Sequence, residues 1–515
     1  MPLLGQLIKR TIALNSLIQQ GKEKLVVQTP ADRQRRQLKS LLRRAAYTRF
    51  GLHYRFSDIL RSDQLQEAFR SHVPVFDYNK IFTEWWQSVL AGESNVCWPG
   101  TVRYFALSSG TSEASSKRIP LTPEMIRAIK RGSIKQILSS ASYNLPASVY
   151  EKKILMIGGS TSLSRRGHYY EGDLSGISAS KIPLWFHVFY KPGRKLARER
   201  NWDRKLNEIA RRAPEWDVSI IVGIPAWIQI LLERIIALQG ARHIHDVWPN
   251  LDVYVHSGVS FEPYRKGFER LLGRPIITQN SYLASEGFIA FDTHPNPSGM
   301  EMLLANGIYF EFIPFDEQNF DAEGNLQPYA RALHIGEVVE GKDYALLLST
   351  CAGAWRYLIG DVIQFTDLSR SEIKITGRTR HFLNLTGEHL SVDNMNRAIE
   401  TVGRTFGIDI REFTVAGVPY EGLFAHQWWI GTDKAVDPEQ VKKVLDEQLC
   451  VLNDDYATER SAALKDVLVT MLPNKVFVGW MASKGKMGGQ HKFPRVLRNK
   501  QLDDWQQYLR EQGYS

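Results

Sequence analysis

Residues 219–239 read SIIVGIPAWIQILLERIIALQ. A β-branched run meets a Gly-Ile-Pro turn and then apolar residues at helical spacing, which predicts a strand leading directly into a helix. LDVYVHSGVSFEPYRKGFERLLG at 251–273 repeats the scheme, and KILMIGGS at 153–160 is another short apolar run ending in glycine and a hydroxyl. Strands that alternate with helices belong to the α/β class and pair in parallel. Ligands of such sheets sit beyond the carboxyl ends of the strands, so the residues that follow these runs are the ones to examine.

After about residue 300 the texture changes. GIYFEFIPF, EVVEGKDYALLLST and DVIQFTD read as successive strands of a β-rich subdomain, and EIKITGRTRHFLNLTGEHLS at 372–391 closes a strand and opens a turn. A smaller α+β unit follows. Its clearest helix has Asp437 as cap, Pro438 in the first turn, and Val441, Val444, Leu445 and Leu449 at helical spacing. The expected organisation is a large domain over 1–377 and a small one over 378–515.

The chain has 515 residues and a net charge of +10, with a pI near 9.3. The basic residues are scattered rather than gathered in a tail, so an ordinary solvated surface is favoured over nucleic-acid binding, and an anionic substrate would explain some of the excess. Cys97, Cys351 and Cys450 form no CxxC pair, which argues against a zinc site and fits a reducing, cytoplasmic setting. The N-terminus places Leu3, Leu7, Leu14 and Ile18 roughly on one side of an amphipathic helix, read as a packed helix rather than a leader. The uncharged stretch Val218–Leu232 is broken by Gly223 and Pro225 and is too short to span a bilayer. HIH at 243–245 lacks a third ligand and reads as a solvated pair.

The hydroxyl-rich stretch FALSSGTSEASSKRIPLT begins at Phe105. Six Ser/Thr residues fall between Ser108 and Ser116, followed by Lys117. VRYFAL before it alternates like a strand. Thr122 and Pro123 after it start a helix with Met125, Ile126 and Ile129 on its apolar stripe. Backbone N–H groups and hydroxyls of such a loop suit phosphate oxygens, and Lys117 suits their charge. The spacing from Gly110 to Lys117 is not that of a Walker A loop. On its local pattern the stretch reads equally as a phosphate cradle or as a plain serine-rich loop.

Several segments, in order, resemble the Gretchen Hagen (auxin-responsive promoter) family of acyl acid amido synthetases, within the adenylate-forming superfamily. They are AAYTRFGLHYRFSDI at 45–59, VPVFDYNKI at 73–81, the loop SSGTSEASSKRIPLT, YLASEGFIAFD at 282–292, YLIGD at 357–361, GRTRHFLNLTGEHLS and QHKFPRV. The N-terminal half is more similar to the bacterial branch of that family, so plant-hormone substrates are not implied. One departure is Ala114, where the family usually has glycine.

The resemblance implies ATP and Mg²⁺. It implies a phosphate loop of Ser108, Ser109, Gly110, Thr111, Ser112 and Lys117, and a backbone approach to adenine at Ser257, Gly258 and Val259. In the SYLASEG segment it implies Tyr282 on adenine with Ala284 beside it, Ser285 at the α-phosphate and Glu286 on the metal. Asp361 is implied to accept the ribose hydroxyls, Arg378 to mark a hinge at the nucleotide site, and Lys492 to bridge the substrate carboxylate and the α-phosphate. The implied activity joins a carboxylic acid to AMP and passes the acyl group to an amine, with no nucleic-acid or membrane partner. Two alternatives remain open: transfer to a thiol such as coenzyme A, and a basic nucleic-acid-binding module without turnover.

Overall fold

The computed structural model describes residues 6, 9–11, 13–15, 29–108, 117–182, 184–259, 261, 264–321, 324–379, 382–383, 385–386, 388, 390–408, 410, 412–484 and 493–514. They fall into two compact units, one reaching to Thr379 and one beyond it.

The first unit is built on two sheets. The smaller holds β1 (Tyr104–Ser108), β2 (Lys117–Leu121), β4 (Ser164–Arg166) and β5 (Tyr169–Asp173) in the order β2-β1-β5-β4. The larger begins with β3 (Lys153–Met156), β6 (Tyr190–Lys191), β7 (Val218–Gly223), β8 (Val253–Ser257) and β9 (Ile277–Ala284), paired in parallel in the order β6-β3-β7-β8-β9. The strand–turn–helix reading of 219–239 is met by β7 followed by the Pro225–Gln239 helix, which Gly240 closes with φ +60°.

The expected β-rich subdomain is not a sheet of its own. A hairpin from β9 to β10 (Gly287–Phe291) reverses the chain. β11 (Met300–Met302), β12 (Ile308–Pro314), β13 (Asp343–Thr350), β14 (Tyr357–Asp367) and β15 (Glu372–Arg378) then extend the same sheet antiparallel. The result is one eleven-stranded sheet, parallel in its first half and antiparallel in its second. β12 and β13 are buried along nearly their whole length, which explains their unbroken apolar sequence. The strand expected from Glu337 begins only at Asp343, because the chain turns at Gly341 with φ +77°.

Two helices brace this unit. The Pro30–Ala45 helix has a capping box between Thr29 and Asp32 and buries Leu38, Leu41, Leu42 and Ala45. Its Gln34 is fully buried, donates to the carbonyls of Leu304 and Ile308 at 2.6 and 3.2 Å, and accepts from Phe310 N–H at 2.7 Å. The Pro123–Ser139 helix is capped by Thr122, whose hydroxyl also donates to Cys351 O at 2.7 Å. Nearby, Arg356 is buried. It ion-pairs with Glu311 at 3.1 Å and donates to the carbonyls of Arg70 and Val73.

The second unit contains the short pair β16 (Phe382–Leu383) and β17 (Leu390–Ser391). Its main sheet is β18 (Phe413–Tyr420), β19 (Leu423–Gly431) and β20 (Leu464–Leu472). Helices Val392–Phe406 and Pro438–Leu452 contribute Met395, Val402, Val441, Leu445 and Leu449 to one core, and Phe477, Trp480, Phe493 and Trp505 belong to a second. Asp437 caps the second helix as its sequence indicates. Glu388 is fully buried. It accepts from the backbone N–H of Leu385 and Thr386 and pairs with His426 Nε2 at 2.9 Å, which holds its carboxyl well below the ordinary range despite burial.

Candidate active site

β1 and β2 form an antiparallel pair that sets Ser108 opposite Lys117, at the two ends of the hydroxyl-rich stretch. Ser109, Gly110, Thr111, Ser112 and Ala114 lie outside the described residues. Lys117 opens β2 with its ammonium 5.2 Å from the centre of the Tyr78 ring, and the Tyr78 hydroxyl accepts from the N–H of Arg118 at 2.9 Å.

The carboxyl end of β8 holds Ser257, in register with Ser281 of β9, and then Gly258 at φ +88° and Val259. A positive φ there is available to glycine and strained for other residues. Tyr282 and Ala284 lie on β9, and Ser285 and Glu286 form the tight turn into β10. SYLASEG is therefore a hairpin, and it aligns the parallel half of the sheet with the antiparallel half.

Asp361 and Arg378 face each other across β14 and β15. The Arg378 guanidinium donates from Nε to Asp361 Oδ1 at 2.8 Å, and the Tyr282 hydroxyl donates to Asp361 Oδ2. The expected ribose acceptor is thus fixed from both sides, and Arg378 is placed at the carboxylate itself. Thr379, the last residue of the unit, donates its N–H to Gly360 O at 2.9 Å.

Glu286 is buried, and its carboxyl is pushed up to about 7, chiefly because burial removes the water that would solvate its charge. Lys117 and Arg378 pull it back down, and Asp361 adds to the rise. Tyr357 and Tyr282 are both held well above the usual phenol range, by burial first and neighbouring carboxylates second. The site thus gathers two carboxylates, two cations and two buried phenols. Sequence reasoning passed over Tyr357, although it opens the quoted YLIGD segment, and Tyr78, which lies in the quoted VPVFDYNKI.

Among the described residues no three His, Cys, Asp or Glu side chains are grouped to hold an ion. A single buried carboxylate fits Mg²⁺, which takes one or two carboxylates and completes its shell with phosphate and water. HIH reads in sequence as a solvated pair, but His243 and His245 are both half-buried: Ile244–Asp246 is one 3-10 turn, and His245 Nε2 lies 3.0 Å from Leu251 O. Lys492 lies outside the described residues. No helix among the described residues is long and apolar enough to cross a membrane.

Comparison with known proteins is decisive on kinship. The GH3 family N-terminal domain matches residues 22–168 and 133–276, its central domain matches 301–378, and its C-terminal domain matches 393–501. The chain belongs to the GH3 family. Among GH3 relatives, indole-3-acetic acid-amido synthetase GH3.8 of Oryza sativa subsp. indica is 25% identical over 273 residues, 49% of this chain and 44% of the relative. Jasmonoyl--L-amino acid synthetase GH3.5 of Oryza sativa subsp. japonica is 26% identical over 181 residues, 33% and 31% of the two chains. This chain thus aligns with less than half the length of the curated GH3 relatives. In structure it resembles a GH3.15 acyl acid amido synthetase with a TM-score of 0.57 and 16% identity over 94% of each chain. It also resembles 2-hydroxyisobutyryl-CoA ligase, with a TM-score of 0.55 and 12% identity over 93% of this chain and 91% of that one. Both likenesses concern the fold alone.

Proposed function

We propose that this GH3 protein activates a carboxylic acid with ATP as an acyl-adenylate and transfers the acyl group to the amine of an amino acid, releasing AMP and pyrophosphate. The observation that carries the reading is the clamp of Asp361 between Tyr282 and Arg378, beside Glu286, where the two halves of the large sheet meet. The amido synthetase names of the GH3 relatives point to an amine as acceptor.

Carboxylates resist amines because the anion repels the attacking lone pair and oxide is a poor leaving group. In the proposed first step a carboxylate oxygen attacks the α-phosphorus of ATP in line and pyrophosphate leaves. In the second, the amine nitrogen attacks the acyl carbon, the acyl–phosphate C–O bond breaks and AMP departs with the electron pair. Ser108, Ser109, Gly110, Thr111, Ser112 and Lys117 hold the phosphates, and Ser285 meets the α-phosphate. Adenine lies against Ser257, Gly258, Val259, Tyr282 and Ala284, and Asp361 takes the ribose hydroxyls. Lys492 bridges the reacting carboxylate and phosphate, where a fixed donor is worth about 3–4 kcal/mol of barrier. Glu286 holds Mg²⁺, which supplies neutralisation of phosphate charge. The domains proposed are 1–377 and 378–515, the second carrying Lys492 to and from the site.

The experiment is AMP release from ATP and a panel of acids, with amino acids or coenzyme A as acceptor. Amide formation supports the reading. A thioester formed in preference moves the chain to the thiol-ligase alternative. No acid-dependent pyrophosphate exchange with any acid removes the adenylation reading.

A further inference from the structure

A second charged feature of the first unit lies apart from every residue just assigned. A cleft of about 750 Å³ opens between the Pro30–Ala45 and Pro123–Ser139 helices. Arg36, Lys39, Arg43 and Arg44 line it from the first helix, and Arg127 and Arg131 line it from the second. The spacings, 36-39-43 and 127-131, set each group along one helical face. Glu124 is the one carboxylate in the lining, and it is engaged by Arg127 at 2.8 Å. Among the described residues, Arg36, Lys39, Arg43, Arg44 and Arg131 make no ion pair and no side-chain hydrogen bond.

Ordinary helix design accounts for part of this. Arg43 and Arg44 stand in the last turn, where cations suit the helix dipole. Arg127 is paired with Glu124 and Arg36 stands one turn from Asp32, but Lys39 and Arg131 have no such local reason to face the cleft. The walls are also fixed. Gln34 and Gln37 tie the first helix to the 304–310 segment, and Asn306 Nδ2 donates to Ala128 O of the second at 2.9 Å.

We propose that this cleft is a binding site for a small ligand carrying a chain of two or more phosphates, distinct from the adenylation site. A concave space of this size suits a drug-sized molecule. Arginine forks bind phosphate bidentately, and a one-signed cleft concentrates anions. A chain of phosphates can bridge several of these five exposed cations at once. A flat basic patch would suit nucleic acid better; a cleft flanked by two pinned helices favours the compact ligand.

The test is calorimetry with inorganic tripolyphosphate on the full chain, comparing wild type, Lys117→Ala, the triple variant Arg43→Ala/Arg44→Ala/Arg131→Ala, and Glu124→Gln. The cleft equivalent persists in Lys117→Ala, weakens at least tenfold in the triple variant and tightens in Glu124→Gln, which removes the lone carboxylate. The triple variant keeps wild-type pyrophosphate exchange, so failure here is separable from failure of the adenylation reading. GTP run alongside distinguishes a nucleotide source, if it binds tighter, from a free phosphate chain, if it does not. Absence of any binding beyond what Lys117→Ala removes overturns the proposal, as does unchanged affinity in both cleft variants. So does a single-stranded oligonucleotide that displaces tripolyphosphate at equal phosphate concentration.

Discussion

Glu286→Gln tests the electrostatics of the site directly. Burial raises the Glu286 carboxyl from 4.5 to about 7 in the folded chain. Below pH 4.5 folded and unfolded chains both hold the proton, and the residue adds no pH dependence. Between 4.5 and 7 the unfolded chain has released the proton and the folded chain has not, so stability falls as pH rises. At 1.36 kcal/mol per pH unit, the two and a half units amount to about 3 kcal/mol lost by pH 8. Glutamine cannot ionise and escapes the loss. Urea unfolding followed by tryptophan fluorescence, from pH 4.5 to 8, therefore shows the variant gaining about 3 kcal/mol on the wild type as pH rises. If Glu286 holds Mg²⁺ as proposed, the same proton leaves on metal binding, and metal affinity in the wild type rises toward pH 8. A stability difference that stays flat across this range means that Glu286 is ionised throughout, and the desolvation argument fails.

Three further outcomes are expected. Asp361→Asn removes the charge that Tyr282 and Arg378 hold and should weaken ATP binding about ten- to a hundredfold, the effect of losing charged hydrogen bonds of about 1.5–3 kcal/mol, read by calorimetry; unchanged affinity excludes Asp361 from the nucleotide. Lys492→Ala should abolish pyrophosphate exchange yet spare amide formation from a supplied acyl-adenylate, and equal loss in both half-reactions contradicts its role. Arg356→Met leaves the Glu311 carboxylate buried without its cation and should destabilise the first unit by about 3–5 kcal/mol in urea denaturation; a loss under 1 kcal/mol shows that the pair is not what anchors β12 to the 70–73 segment.

Much of the frame was legible because it is written locally. Thr122 and Asp437 cap their helices through their own side chains, and the runs at 153, 219 and 253 announce parallel strands by composition. The continuity of the eleven-stranded sheet was not legible. Nothing in the sequence after Phe291 says that β11 pairs with β15 rather than starting a new sheet. The site follows the same division. Each motif could be quoted, but the Tyr282–Asp361 contact joins residues 79 apart and is decided by sheet order. Glu388 was likewise invisible as a structural anchor, because its partner His426 arrives from another strand.

The Asp361 clamp draws on β9, β14 and β15, so it closes only when the first unit is assembled through its last strand. A nascent chain that has emerged only as far as β13 already owns Lys117 and the SYLASEG hairpin, yet lacks Asp361 and Arg378. Occupancy of the site is thus a late reward of assembly. A nucleotide bound there as proposed would stitch the first strands to the last and raise the melting point of the entire unit rather than of one loop.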